Sequence, residues 1–237
     1  MQKFQRLRKL LLATGSVTAL GLAPLVAASA TPHEPNVAPT SVTRELPAGA
    51  AAIEQLRLSD SLAEYGERTG DALALVAAAK IRKTLPTPLN TVAPGVTDAR
   101  SWSALLKRAT QLAAGDQNIL GLIEDVRKLK GRDIPGIGDE VQLLHKKVTG
   151  KGFDRAEARF KAGELAIVYV QPEGTGQIAL FVYDEFNNLI CSGDGDTSRS
   201  VCRWRPRWDG SYLLDVRNYG STDVAYRLAI NREIVAR

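Results

Sequence analysis

The chain has 237 residues, 44% of them hydrophobic and 24% charged, ordinary globular usage that excludes a disordered or fibrous chain and suits one large domain or two small ones. Its formal charge of +5 is uneven: Lys3, Arg6, Arg8 and Lys9 lie in the first thirty residues, which hold no acid, and beyond them 27 basic residues face 26 acidic ones. So even a balance excludes strong long-range attraction to phosphate or anionic lipid, and two His with two Cys leave little for metal or thiol chemistry.

Residues 1–30 read as a secretory signal peptide. Basic Met1–Lys9 precedes the mostly apolar Leu10–Val26, and Ala28-Ser29-Ala30 supplies the small-x-small pattern of the cleavage site. Thr14, Gly15, Ser16, Thr18, Gly21 and Pro24 interrupt the apolar run, which makes it a poor permanent span. The mature chain is expected to begin near Thr31, with no membrane span after cleavage near Ala30, in the bacterial periplasm or outside the cell. No Cys follows the run and it contains no Arg-Arg pair, which argues against a lipoprotein anchor and twin-arginine export. Residues 31–50, with Pro32, Pro35, Pro39 and Pro47, then read as an extended tether outside any core, with His33 solvated.

Residues 51–138 show helical spacing and predict a four-helix region. Ile53, Leu56, Leu62, Ala63 and Tyr65 begin a first face, and Ser61 with Glu64 forms a capping-box pattern at which the helix is expected to restart. Gly70-Asp71 pairs a helix-ending glycine with an N-cap. Leu73, Val76, Ala77, Lys80 and Ile81 mark a second helix, which Pro86 and Pro88 stop. Ser101 caps a third helix with Trp102, Leu105, Leu106 and Ala109. Gly115-Asp116 repeats the corner before Ile119, Leu120, Ile123 and Val126. The corners at 70 and 115 are 45 residues apart, against a tetratricopeptide period of about 34, so two helical hairpins are favoured over that repeat.

Residues 139–237 switch to a period of two. Leu165, Ile167 and Tyr169, then Ile178, Leu180 and Val182, then Tyr212, Leu214 and Val216, then Val224, Tyr226, Leu228 and Ile230 each alternate with the other face. Turn signals at Pro172–Gly176, Asn187-Asn188, Gly193–Asp196, Asp209-Gly210 and Asn218–Ser221 separate them. The fold class is therefore α+β as separate domains: the helical hairpins, then an antiparallel β-sandwich of seven or eight strands expected to fold alone.

The run Phe160–Asn231 resembles a bacterial pre-peptidase C-terminal domain. The matching features are Phe160-Lys-Ala-Gly163-Glu164, Leu180-Phe-Val-Tyr-Asp184 with Asn188-Leu189, and Trp204-Arg-Pro206. Gly210-Ser-Tyr212-Leu-Leu-Asp-Val216, Asn218-Tyr-Gly220 and Tyr226-Arg-Leu228 complete them. The helical half, with Leu62-Ala-Glu-Tyr-Gly66 and Asp71-Ala-Leu-Ala-Leu75, is similar to segments preceding such sandwiches in exported bacterial proteins. The resemblance implies a non-catalytic β-sandwich module, and some domains of this family bind matrix or polysaccharide.

Catalytic and ligand motifs are sparse. His145 in Val141-Gln-Leu-Leu-His145 is the one His outside the tether, and no Gly-x-Ser-x-Gly elbow accompanies it, so it reads as structural. Gly131 and Gly136 have phosphate-loop spacing, but Ile137 stands where Lys is required. Cys191 and Cys202 flank a polar turn in an exported chain and are expected to form a disulfide across a hairpin. Within that turn Asp194 and Asp196 offer oxygens two residues apart, but Arg199 and Arg205 occupy the Gly and acid positions of an EF-hand. No cofactor is expected; a loose calcium site on Asp194 and Asp196, joined by Asp184 or Asp209, is the alternative to a solvated turn. The basic-aromatic run Arg203-Trp204-Arg205-Pro206-Arg207-Trp208 offers Arg203, Arg205, Arg207 and Trp208 as a ligand surface, with Trp204 in the core.

The function these features favour is an exported, non-enzymatic binding or structural protein with a glycan, peptide or protein partner. Two alternatives stay open. One is a secreted hydrolase with an unrecognised carboxylate pair. The other is a helix-hairpin-helix DNA-binding protein, since Ile134-Pro-Gly136-Ile-Gly138 between Val126–Lys130 and Val141–Lys147 resembles that hairpin. Export argues against the second, and no nucleic-acid partner is expected.

Overall fold

Three of the four helices given below begin where a short polar side chain holds a free amide. The structure, a computed structural model, describes residues 33–39, 46–86, 89, 98–130, 141–174, 176–193, 199–232 and 234–235. Helix α1 (Ala48–Thr69) ends at Gly70, whose φ of +72° is the left-handed conformation that closes a helix. The Asp71 carboxylate then accepts the Ala74 amide at 3.0 Å and starts α2 (Ala72–Lys83). Ser101 caps α3 (Trp102–Leu112), and Asp116 caps α4 (Gln117–Lys128) after Gly115 at φ +92°. Both expected corners are present. The expected restart at Ser61 is not: α1 runs through it, and the Ser61 hydroxyl donates to the Arg57 carbonyl one turn back, at 3.0 Å, which satisfies it without a break.

Nine strands follow among the described residues, one more than the upper expectation. They are β1 (Gln142–Val148), β2 (Phe153–Phe160), β3 (Ala166–Pro172), β4 (Ile178–Tyr183), β5 (Leu189–Ser192), β6 (Ser200–Trp204), β7 (Gly210–Asn218), β8 (Val224–Ile230) and β9 (Ile234–Val235). They form a four-stranded sheet in the order β1-β8-β3-β6 and a five-stranded sheet in the order β5-β4-β7-β2-β9, antiparallel throughout. The second helix of the DNA-binding reading is thus overturned: residues 142–148 are extended and pair with β8. Its hairpin, residues 134–138, lies outside the described residues.

Between the sheets Val168, Val170, Leu180, Leu214 and Leu228 close a core around Phe160, Trp204 and Tyr212. Phe160 meets Trp204 and Tyr212 edge-on, with centroids 4.8 and 5.6 Å apart, a favoured ring geometry. Strand β3 is buried along its whole length. Ala166, Val168 and Val170 face the sandwich core, while Ile167 and Tyr169 join Ile53, Leu56, Leu85, Leu89, Val141 and Ala229 in a second core beneath α1. Hence the four-stranded sheet is covered on both faces, by the other sheet and by the helical layer. The five-stranded sheet keeps one open face.

Residues 33–39, expected as a solvated tether, are part of the fold. Asn36 is fully buried. Its Oδ1 accepts the Arg207 and Trp208 amides at 2.8 and 3.2 Å, its Nδ2 donates to the Trp208 carbonyl at 3.1 Å, and its carbonyl accepts the Tyr212 hydroxyl at 2.7 Å. An amide side chain pairs with backbone donors and acceptor together, which is why this polar residue can be interred. Gly49 and Ala50, also assigned to the tether, are buried in α1. His33 is exposed and stacks on Phe186 at 4.2 Å.

Candidate binding face

The most deeply buried charges hold the helical layer to the sandwich. Asp60 of α1 is fully buried. Its Oδ1 pairs with Arg82 of α2 and, at 3.1 Å, with Arg227 of β8; its Oδ2 accepts the Tyr169 hydroxyl at 3.0 Å. Arg100 approaches at 3.9 Å, and Arg227 also reaches Gln171 and, at 3.3 Å, Asp98. Burial alone would push the Asp60 carboxyl upward; Arg227, Arg82, Arg100 and the Tyr169 hydroxyl outweigh it and hold the group below the ordinary carboxylate range. Three guanidiniums and a tyrosine hydroxyl surround this carboxylate, which is fully buried and out of reach of a substrate.

The residues singled out in the sequence are largely engaged within the molecule. Arg203 pairs with Glu54 of α1. Arg205 donates to the Gly163 carbonyl at 3.0 Å, and Arg207 donates to the Val37 carbonyl at 2.8 Å and pairs with Glu34. The Trp208 indole donates to Glu185 at 2.5 Å and its ring meets Phe186 edge-on. Arg203 thus fastens α1 and Arg207 fastens residues 33–39 to the sandwich. Trp204 is buried in the core. His145 is half-buried, its Nδ1 2.7 Å from Glu173.

Cys191 and Cys202 are disulfide-bonded. The hairpin geometry expected for them is corrected: β5 pairs with β4 and β6 with β3, so the bond joins the two sheets rather than neighbouring strands. Asp194 and Asp196 lie outside the described residues. Asp184 accepts the amides of Asn36, Phe186 and Asn188 at 3.0, 3.0 and 2.8 Å, and Asp209 accepts that of Ala162 at 2.7 Å. Both are committed to turns. Among the described residues no group of three His, Cys, Asp or Glu is placed to hold a metal, and no helix is long and apolar enough to cross a membrane.

The open face of the five-stranded sheet carries a different constellation. Register places Phe181, Asp215 and Arg155 in one row across β4, β7 and β2, with Ala179, Arg217 and Phe153 in the next. Asp215 is 1% exposed; its Oδ2 takes Arg217 at 2.9 Å and Arg155 at 3.4 Å, while its Oδ1 has no hydrogen-bond partner. The bond to Asp215 raises the Arg217 guanidinium above its ordinary value, so that charge is fixed. Arg217 lies over the Phe181 ring at 4.5 Å and Arg155 over Phe153 at 4.4 Å. Phe153 is nevertheless 61% exposed and Tyr219 56%.

One end of this face is a shallow cleft of about 460 Å³ lined by Lys151, Gly152, Phe153, Arg155, Arg217, Asn218 and Tyr219. Its rim is rigid. The Asn218 side-chain amide donates to the Thr149 and Thr222 carbonyls at 3.1 and 2.7 Å and its Oδ1 accepts the Gly220 amide at 2.9 Å. The Lys151 amide donates to Gly220 at 2.7 Å. These bonds clamp the β1–β2 turn to the β7–β8 turn, and Gly150 permits the approach, since a Cβ there would lie 2.2 Å from the Ser221 carbonyl oxygen. Sequence reasoning did not single out Lys151, Phe153, Arg155, Arg217 or Tyr219 as site residues. A signal existed in Phe153-Asp-Arg-Ala-Glu-Ala-Arg159, where Phe, Arg, Glu and Arg alternate with Asp and Ala.

No protein-family model and no curated protein matches the chain. Among solved structures it is similar to the pre-peptidase C-terminal domain of a collagenase from Bacillus anthracis, at 17% identity over 38% of this chain and 87% of that one, with a TM-score of 0.33. It is similar also to PliG of Aeromonas hydrophila, a periplasmic inhibitor of g-type lysozyme, at 20% identity over 40% of this chain and 89% of that one, TM-score 0.33. A mitogen derived from Yersinia pseudotuberculosis gives 12% identity over 41% of this chain and 95% of that one, TM-score 0.33.

Proposed function

We propose that the protein is an exported, non-catalytic binding module that holds a glycan, a peptide or another exported protein on the open face of its five-stranded sheet. The observation that carries this reading is the exposure of Phe153 and Tyr219 beside Arg155 and Arg217, which Asp215 holds in place. Folding does not require those rings to face water, and exposed aromatic residues with arginine are what binding surfaces concentrate. Export is supported by the basic-apolar-small pattern of residues 1–30 and by the bond between Cys191 and Cys202, which an oxidising compartment maintains. The described buried carboxylates Asp60, Asp184 and Asp215 are occupied by guanidiniums or backbone amides, which favours binding over hydrolysis.

The test has two arms. Protein recovered from the periplasm or medium should begin near Thr31 by N-terminal sequencing. On a panel of immobilised glycans and peptides, binding by the wild type should fall in Phe153→Ala and Tyr219→Ala and persist in Leu73→Ala on the helical layer, with no product released from the bound ligand. Equal binding by the open-face variants, or product formation, would overturn the reading.

A further inference from the structure

The cleft at the end of the open face is built for one kind of ligand. Resting on the binding-module reading above, we propose that Phe153, Tyr219, Lys151, Arg155 and Arg217 form a subsite for a carboxylate-bearing sugar within an acidic polysaccharide.

Charge comes first. Three cations, Lys151, Arg155 and Arg217, line the cleft, and no acid is among its lining residues; Asp215, which holds the two arginines, is buried beneath them. The lining a ligand meets is therefore positive, and its two guanidiniums are held in place by Asp215. Planar guanidiniums fix carboxylates in a defined orientation, which a mobile lysine alone would not do.

Shape comes second. Phe153 and Tyr219 are mostly exposed and line the same cleft as these cations. A sugar ring offers C–H faces to an aromatic side chain while its carboxylate and hydroxyls remain at the edge. A peptide would need apolar seats beside the rings, whereas the neighbours here are Lys151, Arg155, Arg217 and Asn218. The volume of about 460 Å³ lies within the range of small-ligand sites, and the open sheet beyond it leaves room for a polymer to continue across Phe181 and Tyr183.

Third, the rim does not have to reorganise. The Asn218 and Lys151 bonds hold both turns in one arrangement, so binding spends little on ordering the site.

The experiment measures binding of the purified protein to polygalacturonate, to neutral dextran and to poly-L-glutamate, by affinity electrophoresis and biolayer interferometry. Polygalacturonate should bind, weakening at least tenfold between low and high salt; dextran should not bind, and polyglutamate should bind at least tenfold more weakly than polygalacturonate. Phe153→Ala and Tyr219→Ala, both at exposed rings, should each weaken polygalacturonate binding about tenfold or more with an unchanged melting temperature, and Arg155→Gln should reduce the salt dependence. Absence of polygalacturonate binding, equal binding to polyglutamate, or unchanged binding in both ring variants would overturn the proposal. If Phe153→Ala and Tyr219→Ala still abolish binding to another member of the wider panel, the binding-module reading survives while the acidic-sugar assignment falls.

Discussion

Asp60→Ala is the sharpest perturbation the structure offers. It removes the carboxylate shared by Arg82 and Arg227, which are 1% and 3% exposed, and leaves the buried Tyr169 hydroxyl without its acceptor. Among the described groups of the cluster, Arg82, Arg100 and Arg227 then face Asp98 alone. Breaking a buried ion pair from one side costs about 3–5 kcal/mol, because the remaining charge stays buried without compensation. Against a typical total of ~5–15 kcal/mol, that loss is severe. Urea denaturation followed by circular dichroism should show a midpoint shift equivalent to at least ~3 kcal/mol. Asp60→Asn, which keeps the volume and one acceptor, should lose less and remain measurable where the alanine variant does not fold. The pH dependence carries the same sign. The Asp60 carboxyl is held below its ordinary value in the folded protein, so its stabilisation is complete above the unfolded carboxyl's pKa of about 3.9 and is lost as pH falls through the lower folded value. The wild type should therefore lose stability more steeply than Asp60→Asn below about pH 4. A loss under ~1 kcal/mol in the alanine variant, the size of an exposed pair, would refute the burial reasoning.

Three further outcomes follow. Asn36→Ala leaves the Arg207 and Trp208 amides without their acceptor, and should cost roughly 2–3 kcal/mol by chemical denaturation while leaving the helical layer intact by hydrogen exchange. Cys191→Ser opens a loop of sequence separation 11; in the chain-entropy model it should cost about 2–3 kcal/mol and permit folding, so an unfolded variant by near-ultraviolet circular dichroism would contradict it. A fragment of residues 139–237 uncovers Ile167, Tyr169 and Ala229 and separates Arg227 from Asp60 and Asp98; it should aggregate or melt well below the whole chain, and a fragment as stable as the parent would show the shared core to be dispensable.

The helical corners were legible because their causes are local. A glycine able to adopt positive φ followed by a carboxylate that accepts an amide two or three residues on is written in two adjacent residues, at 70–71 and again at 115–116. Strand β3 was legible only in part. Alternation assigned Leu165, Ile167 and Tyr169 to one face, yet Ala166-Ile-Val-Tyr-Val-Gln171 contains no charge, the pattern of a strand covered on both sides. What covers the second face is α1, more than a hundred residues away, and no periodicity within β3 contains that fact. For the same reason the burial of Arg227 on β8 was not legible: its partners Asp60 and Asp98 are distant in sequence and reach it only when the helical layer lies on the sheet. The disulfide pairing was readable from count and compartment. Its span was not, because a turn between two strands does not declare whether they stay in one sheet or pass to the opposite one.

The binding face shows why density along the chain is a poor guide to exposure. Arg203, Arg205, Arg207 and Trp208 form the most concentrated basic-aromatic run in the sequence, but they sit on β6 and the connection to β7, where α1 and residues 33–39 pack. Their donors are therefore met by Glu54, Gly163, Val37, Glu34 and Glu185. Lys151, Phe153 and Arg155 are separated from Arg217 and Tyr219 by more than sixty residues, and only the antiparallel register Phe153↔Arg217 and Arg155↔Asp215 makes them neighbours. Which of two aromatic-arginine groups remains free for a ligand is decided by which sheet the helices cover. Helix α1 covers the sheet containing β3 and β8, because that is where Ile167, Tyr169 and Ala229 give it an apolar seat and Arg227 gives Asp60 a partner. The packing that buries the helical layer is thus the same packing that leaves Phe153 and Tyr219 in water.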